Sequence, residues 1–344
     1  MSLLRSLGKN PKGKRLERIR SSANYRENAF QNLSPTEQLS KDHSFLKMSR
    51  EFFNKSGNVE PSGEIPCVQT DLKNMVSNDP VIVWFGHSSY FIRINGRNIL
   101  VDPVFSGSAS PFSFMIKAFK GSNSYTVNDL PDIDLLLLTH DHYDHLDYKT
   151  VTQLAPKVKQ VLCGLGIGSH LEYWGFNENH ITEFDWWDQH TFHGIQFTAA
   201  PARHYTGRGI TRSKMLWCSF ILKANDHSLY LGGDSGYDTH FKTIGDQHGP
   251  FDLALLECGQ YNAAWPSIHM MPEETVQASI DLKAKVLFPI HWAKFALAMH
   301  DWDEPVKRAA AEALRLGVKL TTPKIGEPVV LGSSYPNSEW WKLS

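Results

Sequence analysis

Apolar positions fall first into short runs of the strand kind. Val81-Ile82-Val83-Trp84-Phe85, Tyr90-Phe91-Ile92-Arg93-Ile94 and Asn98-Ile99-Leu100-Val101 are rich in β-branched and aromatic residues and are bounded by turn formers. Asn95-Gly96 joins the last two and predicts a hairpin, because both residues accept left-handed backbone. Leu135 to Leu138 is apolar at every position, which predicts a strand covered on both faces. Later runs at Gly194–Ala200, Ser228–Leu231, Lys285–Pro289, Val318–Thr321 and Pro328–Leu331 also read as strands. Helix signals lie between them. Pro272-Glu273-Glu274 is a favourable first turn, and a helix opened by Glu304-Pro305 runs through Ala309–Leu314 to a stop at Gly317.

Residues 1–75 lack this regular pattern. They read as an N-terminal extension, partly irregular, with a short helical stretch around Ser40–Phe53; the body spans 76–344. Residues 104–130, rich in Ser, Gly, Phe and Pro, predict a long loop with some helical character, and loops of that length are often functional. The spacing Gly164-Leu165-Gly166-Ile167-Gly168 does not match a nucleotide-binding turn.

Charge changes the picture by exclusion. Lys plus Arg number 35 against 36 Asp plus Glu, a net −1, so no nucleic-acid partner is expected. Arg5, Lys9, Lys12, Lys14, Arg15, Arg18 and Arg20 form a basic segment that reads as a solvated tail or as a peripheral contact with anionic lipid head groups. No apolar signal region follows it, and no run approaches a membrane span. The 4 cysteines are scattered without a C-x-x-C pair, which suggests reduced thiols and a cytoplasmic location, peripheral at the membrane surface if the basic segment binds lipid. Oligomeric state is not legible.

The chemistry concentrates at Thr139-His140-Asp141-His142-Tyr143-Asp144-His145, directly after the leucine run. Buried imidazoles and carboxylates are costly unless something pairs with them, and a divalent metal suits both. His140 and His142 are two apart and can face one side, while Asp144 and His145, at the start of an expected helix, face another. One short segment can therefore serve two metal ions.

This pattern resembles the metallo-β-lactamase superfamily. The family implies an αββα sandwich, two mixed β-sheets flanked by helices, with three further ligands downstream at strand ends. His204, Asp234 and His291 fill those positions. The resemblance implies His140, His142 and His204 for one ion, Asp144, His145 and His291 for a second, and Asp234 as the bridge. It implies two divalent ions, Zn2+ first and Fe or Mn as alternatives, and a bridging hydroxide as nucleophile. Gly232, Gly233 and Gly236 are read as permitting a tight turn around Asp234.

The segments Trp84–Ser89, Leu100–Ser106, Glu183–Trp187, Gly249–Ala254, Ile268–Glu274 and Ile290–Leu297 are similar to the N-acylphosphatidylethanolamine-hydrolysing phospholipase D branch and its bacterial relatives. That resemblance implies phosphodiester hydrolysis at a phospholipid head group, with Asp144, Asp234 and His269 in the catalytic set. His269 would contact the phosphate or protonate the leaving oxygen. His87 would line the site or orient a ligand, and Trp292 would touch substrate. Trp186, Trp187, Trp217, Trp265, Met270 and Met271 are candidates for an apolar wall, and Arg203 for an anion contact or a salt bridge. The alternatives are a lactonase of the ascorbate-lactone type, an RNA-processing nuclease, and a metal-containing binding protein without catalysis.

Overall fold

Leu135 to Leu138 is apolar throughout because its strand is sandwiched. Leu135 and Leu137 join the core between two sheets, while Leu136 and Leu138 join the layer beneath the flanking helices. The computed structural model describes residues 2–40, 57–209 and 211–343. The helical stretch expected around Ser40–Phe53 lies, apart from Ser40 itself, outside the described residues.

The described chain opens with helices α1 (Ser2–Ser6) and α2 (Gly13–Ser21) and the short pair β1 (Tyr25–Arg26) and β2 (Ala29–Phe30). The first half of the body contains β3 (Val81–Trp84), β4 (Tyr90–Ile94), β5 (Arg97–Val101), β6 (Ile133–Leu138), α3 (Tyr148–Leu154), β7 (Val158–Gly164), α4 (Gly168–Tyr173) and β8 (Ile181–Phe184). The second half contains β9 (Gln189–Phe192), β10 (Ile195–Ala200), β11 (Ser219–Ala224), β12 (His227–Leu231), α5 (His240–His248), β13 (Leu253–Glu257), α6 (Pro272–Asp281), β14 (Leu287–Ile290), α7 (Glu304–Leu316) and β15 (Pro328–Val330).

One sheet has 7 strands in the order β15-β3-β4-β5-β6-β7-β8, and the other has 6 in the order β14-β13-β12-β11-β10-β9. Both are mixed. The hairpins β3–β4–β5 and β9–β10–β11–β12 are antiparallel, whereas β5–β6–β7–β8 and β12–β13–β14 are parallel. Three apolar layers follow: one between the sheets, one under α3 and α4, and one under α5, α6 and α7. This is the expected αββα sandwich. Asp234, Glu257 and His291 leave the adjacent parallel strands β12, β13 and β14 at their C-terminal ends, which brings them side by side.

Several local expectations are corrected. Val318–Thr321 forms only an isolated bridge, Leu320 to Leu287, so it is no regular strand. The loop 104–130 has helical geometry only in a 3-10 turn at Val127–Asp129. Asp144 and His145 sit in a turn, and α3 starts later, where the Asp147 side chain caps the Lys149 amide. The basic N-terminal segment is not a free tail. Arg15 pairs with Glu172 and Glu183, Arg18 donates to the Glu183 carbonyl, and Ile19 and Phe30 enter the inter-sheet core.

Candidate metal centre

His140, His142, His204 and Asp234 offer donor atoms that all lie within 4.8 Å of one another, and so do His87, Asp144, His145 and His291. The structure therefore brings together all seven residues singled out as metal ligands. Their strands end on the same edge of the sandwich. The turn after β6 supplies four, and the ends of β10, β12 and β14 supply His204, Asp234 and His291.

The hydrogen-bond network decides which ring nitrogens are free. His204 Nδ1 lies 2.9 Å from the Ile268 carbonyl oxygen, which can only accept, so Nδ1 carries the proton and Nε2 keeps a lone pair. His145 Nδ1 lies 2.8 Å from Asp102 Oδ2, which by the same reasoning holds a proton on Nδ1 and turns the buried Nε2 toward Asp234. His142 Nδ1 lies 3.0 Å from His140 Nε2 and 3.1 Å from His204 Nε2. Three converging nitrogens with too few protons between them fit a cation better than a hydrogen-bond ring. Tetrahedral zinc with nitrogen ligands at about 2.0–2.1 Å has ligand–ligand edges of roughly 3.3 Å, close to this spacing. Asp234 faces both groups: Oδ1 is 3.2 Å from His145 Nε2 and 3.1 Å from His291 Nδ1, and Oδ2 is 3.7 Å from His140 Nε2 and 3.8 Å from His204 Nε2. The donor set fits two divalent ions.

Burial keeps these imidazoles in the neutral form that ligates metal. It pushes His140, His204 and His291 well below the imidazole range and His142 down to about 4. His145 goes the other way, because Asp234 and Asp144 outweigh its burial. Asp234 is raised by burial to about 6. Burial also raises Glu257 and lowers His269; positive charge at the neighbouring centre would oppose the first shift and add to the second.

A second ring of partners holds the donors. Asp102 accepts from the Thr139 amide at 2.9 Å and from its hydroxyl, as well as from His145. His87 Nε2 is 2.9 Å from Asp144 Oδ2, and Ser88 Oγ is 2.9 Å from His291 Nδ1. His87, Asp102 and His291 all adopt positive φ, at 53°, 42° and 67°. Such backbone is strained for these residues, and reciprocal bonds hold it here: His291 N to His87 O, and His87 N to Trp292 O, both 2.9 Å. In the sequence Asp102 stands only inside the Leu100–Ser106 segment of the resemblance, with no role assigned to it. Asp102→Asn is expected to weaken metal binding about 10–100-fold, the usual effect of losing an outer partner, measurable by competition with a chelator.

The glycines near Asp234 serve close approach rather than left-handed backbone. A Cβ on Gly233 would stand 2.7 Å from the Cys218 carbonyl oxygen, and one on Gly236 would stand 2.0 Å from that of Ser267.

Two predicted substrate contacts are corrected. His87 is fully buried and does not line the cavity; it only orients Asp144. Trp292 is 1% exposed, stacked on Trp340 at 5.1 Å with its Nε1 donating to the Pro289 carbonyl, so it is a core residue. Trp186, Trp217 and Met270 are core as well, and Trp187 stacks on His248. Arg203 is occupied by Thr36 and by the carbonyls of Pro35 and Tyr237. The cavity, about 430 Å³, is lined by His142, Asp144, His204, Asp234, His269 and His291. Leu39, Ala109, Ile116, Trp265, Ile268 and Leu297 form the apolar part of its lining. Glu257, buried beside Asp234 and bonded to His269, is the residue that sequence reasoning missed.

One histidine near the centre gives a pH test. His240 is buried and lowered from 6.5 to about 4, chiefly by desolvation. The unfolded chain then takes up a proton that the folded chain refuses. Stability is full above pH 6.5 and falls by about 1.4 kcal/mol per unit until pH reaches about 4. Urea unfolding at pH 7 and pH 5 checks this, and His240→Gln is expected to reduce the difference by that one group's share, the other buried histidines keeping theirs.

A family model described as a β-lactamase superfamily domain matches residues 97–292, more than half of the chain. The chain belongs to the metallo-β-lactamase superfamily. At that level it is a metal-dependent hydrolase. An uncharacterized protein of Mycobacterium tuberculosis is 37% identical over 327 residues, 94% of this chain and 88% of that one. The N-acyl-phosphatidylethanolamine-hydrolyzing phospholipase D 1 of Caenorhabditis elegans is 31% identical over 233 residues, 64% of this chain and 65% of the relative. Among solved structures, Igni18, a metallo hydrolase from Ignicoccus hospitalis, superposes with a TM-score of 0.57 at 19% identity, covering 75% of this chain and 100% of that one. The last likeness bears on fold alone.

Proposed function

We propose that this member of the superfamily is a phosphodiesterase of the phospholipase D type, acting on a phospholipid head group with two divalent ions, zinc first. The observation that carries the reading is a cavity whose lining combines the donor cluster and His269 with the apolar side chains of Leu39, Ile116, Trp265 and Leu297, as an amphiphilic phosphodiester requires. The similarity to the nematode enzyme supports it. His140, His142 and His204 would hold one ion, Asp144, His145 and His291 the other, and Asp234 both. Such a pair supplies an acidic water as nucleophile and positive charge for the leaving oxygen. The chain itself orients Asp144 through His87 and His145 through Asp102, and presents His269 at the cavity wall.

The apolar lining continues to the surface. Ala109 and Ile116, both in the cavity lining, pin the base of a loop through a 3.0 Å backbone bond. Phe112, Phe114 and Met115 stand exposed at its tip, Phe114 at 71%. Among the described residues no helix is long and apolar enough to cross a membrane. A loop of this kind suits insertion at a lipid interface. Serine at both Phe112 and Phe114 is expected to lower hydrolysis of vesicle-borne substrate about 10-fold and to leave a short-chain phosphodiester unaffected, since two aromatic side chains lose about 1.4 kcal/mol of interfacial contact.

The test is hydrolysis by metal-reconstituted protein of an N-acylphosphatidylethanolamine, a short-chain phosphodiester, a cyclic nucleotide and an acyl lactone. Metal-dependent release of phosphatidic acid is expected. Activity confined to the lactone would overturn the phosphodiesterase reading and favour a lactonase. Binding without turnover of any substrate would favour a non-catalytic metal protein.

A further inference from the structure

Glu257 ends β13 and is 1% exposed, yet it is outside the seven-residue donor set. An ionised carboxylate at that depth costs several kcal/mol unless its oxygens are satisfied. They are. Oε1 accepts from the Ser235 amide at 2.9 Å and from the Met270 amide at 3.2 Å, and Oε2 lies 2.6 Å from His269 Nδ1. The Glu257 carbonyl is tied to the Thr275 hydroxyl at 2.7 Å. Two backbone donors on one oxygen fix the carboxylate plane and aim the other oxygen at the ring. His269 itself is held at the mouth of α6 and lines the cavity. With Nδ1 engaged by Glu257, Nε2 is the ring nitrogen left for a substrate.

The geometry points to Glu257 as the positioning residue of His269: it holds a proton on Nδ1 and fixes the ring so that Nε2 meets the leaving oxygen of the phosphodiester. The identity of that oxygen rests on the phosphodiesterase reading; the Glu257–His269 contact does not. In the step, the oxygen of water bonds to phosphorus as the bond from phosphorus to the alcohol oxygen breaks. The electron pair goes to the alcohol oxygen, which takes the Nε2 proton. The Glu257 carboxylate offsets the charge of the doubly protonated ring beforehand. The ring afterwards regains the proton released by the attacking water.

A competing use of Glu257 is visible. Donor atoms of Asp234, Glu257, His269 and His291 also fall within 4.8 Å of one another, as metal ligands would. Glu257→Gln separates the two. Its amide oxygen can still accept from Ser235 and Met270, but its NH2 then faces Nδ1, which must give up its proton. In the metal-loaded protein, nitrogen NMR is expected to show the His269 Nδ1 signal moving from the protonated to the unprotonated position, with metal content unchanged. The kcat for a dialkyl phosphodiester is expected to fall about 100-fold, the usual worth of a positioned acid, with KM little altered. A nitrophenyl ester, whose leaving oxygen needs no proton, is expected to fall far less. Glu257→Asp keeps the charge but shortens the reach, and is expected to show the same split between esters in milder form, which covers the case of a poorly folded Gln variant. Loss of metal, an equal fall on both esters, or an unmoved Nδ1 signal would overturn the assignment. If the wild-type protein cleaves neither ester, the phosphodiesterase reading fails, and the NMR signal alone decides the role of Glu257.

Discussion

Asp234→Asn is expected to abolish hydrolysis, by roughly 10³-fold or more, the scale seen when one member of a catalytic unit is removed. Among the described residues, its carboxylate is the group whose two oxygens face both halves of the cluster, Oδ1 toward His145 and His291 and Oδ2 toward His140 and His204. An amide has the same shape but one acceptor oxygen and no charge, so it can satisfy one half at most. Burial raises the Asp234 carboxyl to about 6, which means that the anion needs positive charge beside it; removing the anion removes what that charge is bound to. Elemental analysis should find fewer metal ions per chain, and turnover should vanish together with them. Full metal content with near-normal turnover would sink the bridging assignment.

Trp292→Ala is expected to destabilise the fold by about 3–5 kcal/mol, the usual cost of deleting a large core aromatic. The indole packs among Trp84, Trp340 and Trp341, with ring centroids 5.6, 5.1 and 5.9 Å away. Its neighbour His291 and its own carbonyl are bonded to the His87 turn, so the cavity left behind would loosen the metal centre from below. Urea unfolding gives the first effect. The second should appear as weaker metal retention at temperatures where the fold survives. Trp292→Phe, which fills most of the space, is expected to keep KM, as fits a residue that never meets substrate.

The parts of this molecule that were legible in the sequence are those with local periodicity or dense chemistry. Leu135 to Leu138 announces a covered strand, and four ligating side chains within six residues leave few other readings. His204, Asp234 and His291 were found only because a family pattern said where to look, since each alone is a common residue after a strand. Glu257 had no such pointer: one acid after an apolar strand carries no spacing to read. Trp292 was misassigned because adjacency to a ligand in sequence does not say which way a side chain points. In the positive-φ turn at His291 the histidine faces the donors while the next residue faces the core.

The reading of the basic N-terminal segment as a solvated tail failed for the same reason at longer range. Its partners lie far away along the chain. Arg208 clamps the Ser6 carbonyl together with those of Asp141 and Leu146 in the ligand turn. Asn32 pairs with the backbone of His204 in both directions, at 2.8 and 3.0 Å. These contacts span 202 and 172 residues of sequence. On the ribosome, residues 2–36 are made before the His204 strand and loop and cannot dock until these have followed. Closures across so many residues are slow. The backbone around His142 and His204 is thus braced by a segment that lies far from it in sequence, so the closure of this side of the metal centre depends on long-range docking.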